Sequence, residues 1–243
     1  MIFRIRQNAA LHTRKAPGYY PATPLPYVAN ISWPRSGHHL LVRLLQGTFG
    51  PLFGYCEAYV PRRGPDAPCC GRFPCSRTGL IHMSKQHDFD LKAEVPAGVG
   101  LVVQYRTFLP STISQYEMTV RDAGSTDTAA AFRAYAEDML PRYRGFMARW
   151  VAPERAGRIL IAYEDLVNDP VTEARKVLDL YGMGELAPQL RRAAKRVKAA
   201  TYVNGVEKVQ AARGISGERD VSTFRHHDAA LFADLTARAD APY

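Results

Sequence analysis

The stretch WPRSGHHLLVRLL, Trp33 to Leu45, concentrates anion-binding chemistry in a few residues. It follows the apolar run YVANIS, so the pattern predicts a strand, a short turn at Gly37, and a helix with an apolar stripe at Leu40, Leu41, Leu44 and Leu45. Such a unit aims a helix N-terminus, with its unpaired N–H groups and positive dipole end, beyond the end of the strand. Arg35, Ser36, His38 and His39 add side-chain donors at the same place. The chemistry that fits is the binding of a phosphate or a sulfate. The ATPase form of this device is excluded, because no GxxxxGK[ST] occurs in the chain. His38 and His39 raise the question of a metal, but neighbours in a helix do not face the same side, so none is expected there.

A loop of this kind needs a parallel sheet behind it, and the chain is long enough to build one. Its 243 residues suit one α/β domain with a well-buried core rather than two. Hydrophobic residues make up 47% and charged ones 23%, an ordinary balance for a soluble globular chain. No run approaches the ~18 apolar residues of a membrane span. The opening MIFRIRQNAALHTRK intersperses basic residues where a secretory signal has an apolar core, so no cleaved signal is expected. The net charge of +9 favours anionic partners: nucleotides, acidic glycans, phospholipid surfaces or nucleic acid. Its obvious patch, Arg191 to Lys198, is read first as the solvated face of a helix.

Residues 1–26 read as an irregular arm and 27–243 as the domain. A strand near Tyr27 to Trp33 precedes a helix over His38 to Thr48. Residues 50–78, rich in Gly, Pro and Cys, read as a long excursion of the binding-loop kind. Gly79 to Met83 is a short apolar run, and Gly100 to Tyr105 a buried strand. A helix is expected after Pro110, another over Ala129 to Val151 with a bend at Pro141, and a buried strand at Arg158 to Tyr163. The helix after that has Asp169 at its N-cap, Pro170 in its first turn and Gly182 at its end. This alternation predicts a central parallel sheet with helices on both faces, which binds ligands beyond the carboxyl ends of its strands. Cys56, Cys69, Cys70 and Cys75 lack CxxC spacing; thiols are the first expectation, disulfides within the loop the second, a metal site the third.

WPRSGHHLL resembles the 5′-phosphosulfate loop PK[ST]GTTWL of the sulfotransferases that use 3′-phosphoadenylyl sulfate (PAPS), and the partner motifs follow in order. Arg106 and Ser114, eight residues apart in VVQYRTFLPSTISQYE, match the arginine and serine that hold the 3′-phosphate in that family. Tyr163 to Leu166 match its YEDL segment, and Lys85 and His87 in HMSKQHDFDL its K[ST]H segment. ARGISGER is similar to its RKGxxGxW loop through Arg213, Gly214 and Gly217. The resemblance spans Tyr27 to Phe224 and is of the bacterial carbohydrate or small-molecule kind. It implies a P-loop-like fold and a nucleotide held by Arg35, Ser36, Gly37, His38, His39, Leu40, Arg106, Ser114, Tyr163, Arg213 and Gly214. Arg35 replaces the loop lysine, Leu40 the loop tryptophan, Ala212 a basic residue and Arg219 a tryptophan.

The activity implied is transfer of sulfonate from PAPS to an acceptor hydroxyl, with adenosine 3′,5′-bisphosphate as product and no metal. His87 is the expected base, with Asp88 and Asp90 next in line; Arg35 and Lys85 stabilise charge. Arg35 cannot give up its proton, so its part is electrostatic. Tyr55, Tyr59, Arg62 and Arg63 of the 50–78 loop suit a carbohydrate acceptor, acidic or lipid-linked, and would equally flank a peptide tyrosine, which the sequence does not rank below it. A cytoplasmic enzyme, free or peripheral to the membrane, is the expected setting. Two other classes remain open at this point. A kinase-like phosphotransferase would need an anion loop too, but lacks here the Walker lysine and a clear Mg²⁺-holding carboxylate. A nucleic-acid-binding module would rest on Arg191 to Lys198 alone.

Overall fold

A computed structural model describes residues 25–50, 53–57, 71–77, 79, 81–199, 201–203, 211–213 and 218–242. Five strands form one parallel sheet: β1 (Val28–Ser32), β2 (Tyr55–Glu57), β3 (Met83–Gln86), β4 (Gly100–Tyr105) and β5 (Arg158–Ala162), in the order β2-β3-β1-β4-β5. The helices are α1 (His38–Phe49), α2 (Phe108–Ala123), α3 (Ala129–Phe146), α4 (Tyr163–Asn168), α5 (Pro170–Leu180), α6 (Ala187–Ala199) and α7 (Ala229–Asp240). A short antiparallel pair, β6 (Thr201–Val203) and β7 (Ala211–Arg213), stands apart from the sheet.

Strand alternation assigns the two faces. Ala29, Ile31, Leu101 and Val103 point into a core shared with α2, α3 and α7, through Ile113, Phe132, Phe146 and Leu235. Val28, Val102, Met83 and Ile161 point the other way, against α1, α4, α5 and α6, through Leu41, Leu44, Leu166, Val177 and Leu190. Both faces are covered, which is why these strands read as continuous apolar runs and not as half-polar ones. The α/β class expected from the sequence is the class observed.

The order of the strands fixes where a ligand binds. The chain leaves β1 toward β2 on one side, whereas it leaves the adjacent β4 toward β5 on the other. The crevice beyond the carboxyl ends of β1 and β4 is therefore the switch point of the sheet. Trp33 to Gly37 follow β1 there, and Arg106 follows β4.

Several boundaries differ from the sequence reading. The apolar run Gly79 to Met83 meets a strand only at its last residue: β3 is Met83–Gln86, paired with β1 from Val28↔Met83 to Ile31↔Gln86. Hydrophobicity does not mark it: the paired residues include Ser84 and Lys85, both fully buried. Helix α2 begins at Phe108 and takes Pro110 into its first turn, where a missing N–H costs nothing. The helix expected to run to Val151 changes at Met147 to a π-helical turn, Met147–Val151. The N-cap at Asp169 is as expected, with Oδ1 accepting from Thr172 N at 3.1 Å. In α6 Arg191, Arg192, Lys195 and Arg196 are exposed while Ala193, Ala194 and Val197 pack inward, which is the solvated-face arrangement.

Candidate active site

The loop after β1 is held by polar groups buried inside the sheet. Asn30 Nδ2 donates to Val102 O at 3.1 Å and Gln104 Oε1 at 3.3 Å, and Gln104 Nε2 donates to Ser36 O at 3.3 Å. Ser36 Oγ donates to Trp33 O at 2.6 Å, and Trp33 Nε1 to Ser111 Oγ at 3.1 Å. Sequence reasoning missed Asn30 and Gln104, although a lone amide inside each apolar run was the available signal. Gly37 is the N-cap of α1 at φ +83, a left-handed conformation suited to glycine. The first α1 amide with a helical acceptor is that of Leu41, bonded to Gly37 O at 3.1 Å. The amides of His38 to Leu40 therefore face the crevice side of the first turn.

On the β4 side of this loop the structure brings together Arg35, Arg106, Ser114 and Tyr163. Arg35 Nε donates to Ser114 Oγ at 2.9 Å, and its Nη1 reaches Met118 Sδ at 3.5 Å. Arg106, buried, donates from Nη1 to Arg35 O at 3.3 Å, and its Cζ sits 3.9 Å from the centre of the Tyr163 ring. Its Nε is buried without a partner. Glu164 Oε1 accepts from Thr107 Oγ1 at 2.9 Å, which ties α4 to the start of α2. Downstream, Arg219 makes a bidentate pair with Glu117 of α2 at 2.6 and 2.7 Å, so the segment from Glu218 lies one helical turn from Ser114.

On the β3 side lie Lys85 and His87. Lys85 is fully buried, in register with Asn30 of β1 and Glu57 of β2. Its Nζ lies 2.6 Å from His87 Nε2, and His87 Nδ1 lies 2.6 Å from Ser32 O. A carbonyl only accepts, so Nδ1 carries the imidazole proton and donates to Ser32 O, and Nε2 accepts a hydrogen bond from Lys85 Nζ. Burial, with the Lys85 charge second, holds the His87 pKa down to about 3. Burial likewise holds Lys85 well below the usual ammonium range, against the opposing pull of Glu57. Beside them stand His38 and His39, their ring centres 3.9 Å apart, with His38 5.8 Å from His87. Burial also holds His38 well below the usual imidazole range.

Leu40, which stands where the resembled motif has tryptophan, packs its side chain in the core beside Leu41 and Leu44. Three expectations are corrected. His38 and His39 do converge: at the first turn of α1 both rings lean toward Glu57 Oε1, each 3.8 Å away. Glu57 falls in a segment read as loop but is the last residue of β2. Asp88 cannot serve as a base. It is buried and accepts from Ala93 N at 2.6 Å and Trp150 Nε1 at 2.8 Å, with Arg149 Nε 3.7 Å away. Gly214, Tyr59, Arg62, Arg63, Cys69, Cys70 and the arm before Leu25 lie outside the described residues, as does the side chain of Arg213. Cys56 and Cys75 are buried together with Ile81.

No family model matches the chain, and no curated protein does. Among solved structures it is similar to mouse sulfotransferase SULT7A1 complexed with PAP, at 13% identity and a TM-score of 0.48, covering 88% of this chain and 80% of that one. It is also similar to a sulfotransferase from Alicyclobacillus acidocaldarius, at 15% identity and a TM-score of 0.45, covering 90% and 95%. Both neighbours are sulfotransferases by name. At such identities the chemistry of this chain has to be read from its own residues.

Proposed function

We propose that the chain is a PAPS-dependent sulfotransferase that moves sulfonate to an acceptor hydroxyl and releases adenosine 3′,5′-bisphosphate. The supporting observation is that Arg35, Arg106 and Ser114 converge on one side of the Gly37 loop, and the Lys85–His87 pair on the other, around one crevice. Arg106 and Ser114 take the 3′-phosphate, as a guanidinium fork and a hydroxyl suit a phosphate dianion, and Arg35 holds Ser114 in place beside them. Tyr163, under Arg106, lies beside the adenine. The amides from Gly37 to Leu40 and the dipole of α1 hold the 5′-phosphosulfate. Arg213 and Gly214 join the proposed nucleotide contacts on the strength of the motif resemblance alone.

His87 is the base. Lys85 transfers its N–H from His87 Nε2 to a sulfonate oxygen, which frees the Nε2 lone pair for the acceptor proton. Loss of that contact and arrival of an anionic donor both raise the proton affinity of His87 from its ligand-free value of about 3. The acceptor oxygen bonds to sulfur as the bond from sulfur to the phosphate oxygen breaks. The electron pair leaves on the phosphate, where the loop amides and Arg35 stabilise it, and the hydroxyl proton ends on His87. The acceptor we propose is a carbohydrate hydroxyl, free or lipid-linked, which fits the +9 charge. The proposed setting is the cytoplasm. No helix among the described residues is long and apolar enough to cross a membrane.

Thermal shift with adenosine 3′,5′-bisphosphate against ADP at equal concentration tests the nucleotide site. A ligand at 100 times its Kd adds about 2.7 kcal/mol to native stability. The bisphosphate is expected to give the larger shift, and Arg106→Ala to abolish its advantage. Equal shifts, or a preference for ADP, would refute the 3′-phosphate pocket and favour the phosphotransferase.

A further inference from the structure

Beside the loop amides used for transfer, three side chains that the transfer does not use have the donor set of a metal centre. His38, His39 and Glu57 each offer one ligand atom, all within 4.8 Å of one another, and His38 Nε2 and His39 Nδ1 are each 3.8 Å from Glu57 Oε1. The histidines come from the first turn of α1 and the glutamate from the end of β2, so two rigid elements fix the arrangement. His38 and Glu57 are nine-tenths buried, and His39 is 67% exposed. The second observation concerns His38 alone. Its Nε2 is buried without a hydrogen-bond partner and points at Glu57 Oε1, 3.8 Å away, too far for a hydrogen bond. A buried ring nitrogen with no partner is costly, and a metal ion between it and the carboxylate removes the cost.

We infer that His38, His39 and Glu57 form a binding site for a divalent transition-metal ion of the zinc class. Two imidazoles and one carboxylate select zinc, cobalt, nickel or copper over magnesium and calcium, which take all-oxygen sets. Three protein ligands leave a fourth position open, as in catalytic zinc sites. An ion about 2.1 Å from each donor needs donors within about 4.2 Å of one another, so rotation of the exposed His39 ring closes the remaining gap. Lys85, opposite Glu57 in the sheet, is the cation such an ion meets as a neighbour. It sets a limit on affinity and does not supply a ligand. The inference is independent of the transfer reaction, in which no step uses this ion.

The test is direct titration of the full chain, stripped with a chelator, using Zn²⁺ against a chromophoric competitor and Co²⁺ followed by its visible d–d bands. The expected result is one equivalent per chain, four-coordinate cobalt bands, and no competition from Mg²⁺. His38→Ala and Glu57→Gln should weaken zinc by about 100-fold or more, since loss of even an outer-shell partner costs about 10–100-fold. His39→Ala is the variant safest for folding, because its ring is exposed, and should lose the cobalt bands while keeping the parent's circular dichroism. Zinc that binds all three variants as tightly as the parent belongs to other groups, such as the cysteines, and overturns the assignment. So does the absence of stoichiometric binding to the parent. Because bisphosphate binding is measured separately, failure here leaves the nucleotide reading untouched, and the converse holds.

Discussion

Gly37→Ala isolates how the loop, Tyr163 and Arg106 depend on one another. A β-carbon at Gly37 would meet Tyr163 Cδ2 at 3.0 Å and Leu166 Cδ2 at 3.2 Å, at a backbone φ of +83. Two costs follow: about 1–2 kcal/mol for an L side chain in the left-handed region, and about 1 kcal/mol for contacts that must yield by a few tenths of an ångström. Gly98→Ala separates them, since it has φ +81 and nothing within 4 Å of the added carbon. Denaturant unfolding should give about 2–3 kcal/mol for Gly37→Ala and about 1–2 kcal/mol for Gly98→Ala. The excess should shrink when Tyr163→Ala is the background, because that change removes one of the crowded atoms. Tyr163 supports the Arg106 guanidinium at 3.9 Å, so a displaced ring should also weaken bisphosphate binding. The expected loss is about 10-fold, or 1.4 kcal/mol, with Gly98→Ala unchanged. Equal destabilisation by the two substitutions, or an excess undiminished without the Tyr163 ring, would refute the packing argument.

Acid should destabilise the protein through buried histidines. Burial lowers His38, His82 and His87, so below about pH 6.5 the unfolded chain takes up protons that the native state refuses, and stability falls toward pH 3. Each such group contributes at most about 1.4 kcal/mol per pH unit, and unfolding at pH 7 and pH 5 should show a smaller drop in His87→Gln than in the parent. An unchanged drop would mean that His87 is solvated in the native state. Asp88→Ala should cost about 2–4 kcal/mol, because Ala93 N and Trp150 Nε1 lose their acceptor inside the protein. Its transfer activity at a temperature where it stays folded should keep the parent's pH profile; a shifted profile would return Asp88 to the reacting groups.

What was legible in the sequence and what was not divides along a physical line. β1, β4 and β5 were readable because both faces of the sheet are covered, so their residues are apolar whichever way they point. α5 was readable because its cap is a local hydrogen bond of Asp169, set by neighbours in sequence. β3 was missed because its identity as a strand comes from long-range pairing with β1, while its own residues are polar and buried. In the candidate site, Arg106 and Ser114 were singled out by resemblance to a motif of that spacing, and the end of β4 followed by α2 sets both beside Arg35. Glu57 was invisible for the reason β3 was missed: the edge strand β2 is three residues long, flanked by what reads as loop. No local pattern could announce that it meets His38 and His39, because that meeting depends on β2 lying beside β3 and on the first turn of α1 reaching over both.

The arginine at position 35, where the resembled motif has lysine, also has a structural reading. Arg35 stands at φ +62, and its Nε is turned to Ser114 Oγ, with Nη1 toward Met118 on the same helix. A lysine offers one point charge at the end of a flexible stem, whereas a guanidinium offers donors on two edges. Here one edge is spent on α2, and the main-chain carbonyl of the same residue receives Arg106 Nη1. Arg35 thus joins the loop to the helix that carries Ser114, and holds the two halves of the proposed 3′-phosphate pocket together before any nucleotide arrives. The cation on the opposite side of the loop is Lys85, fully buried and fixed on His87. On the proposed reading the two cations divide a task. Arg35 organises the nucleotide side and meets the leaving oxygen, while Lys85 governs whether His87 is available as a base. Coupling between them would pass through the loop from Trp33 to Gly37, whose conformation the buried Asn30–Gln104–Ser36 chain of hydrogen bonds fixes from below.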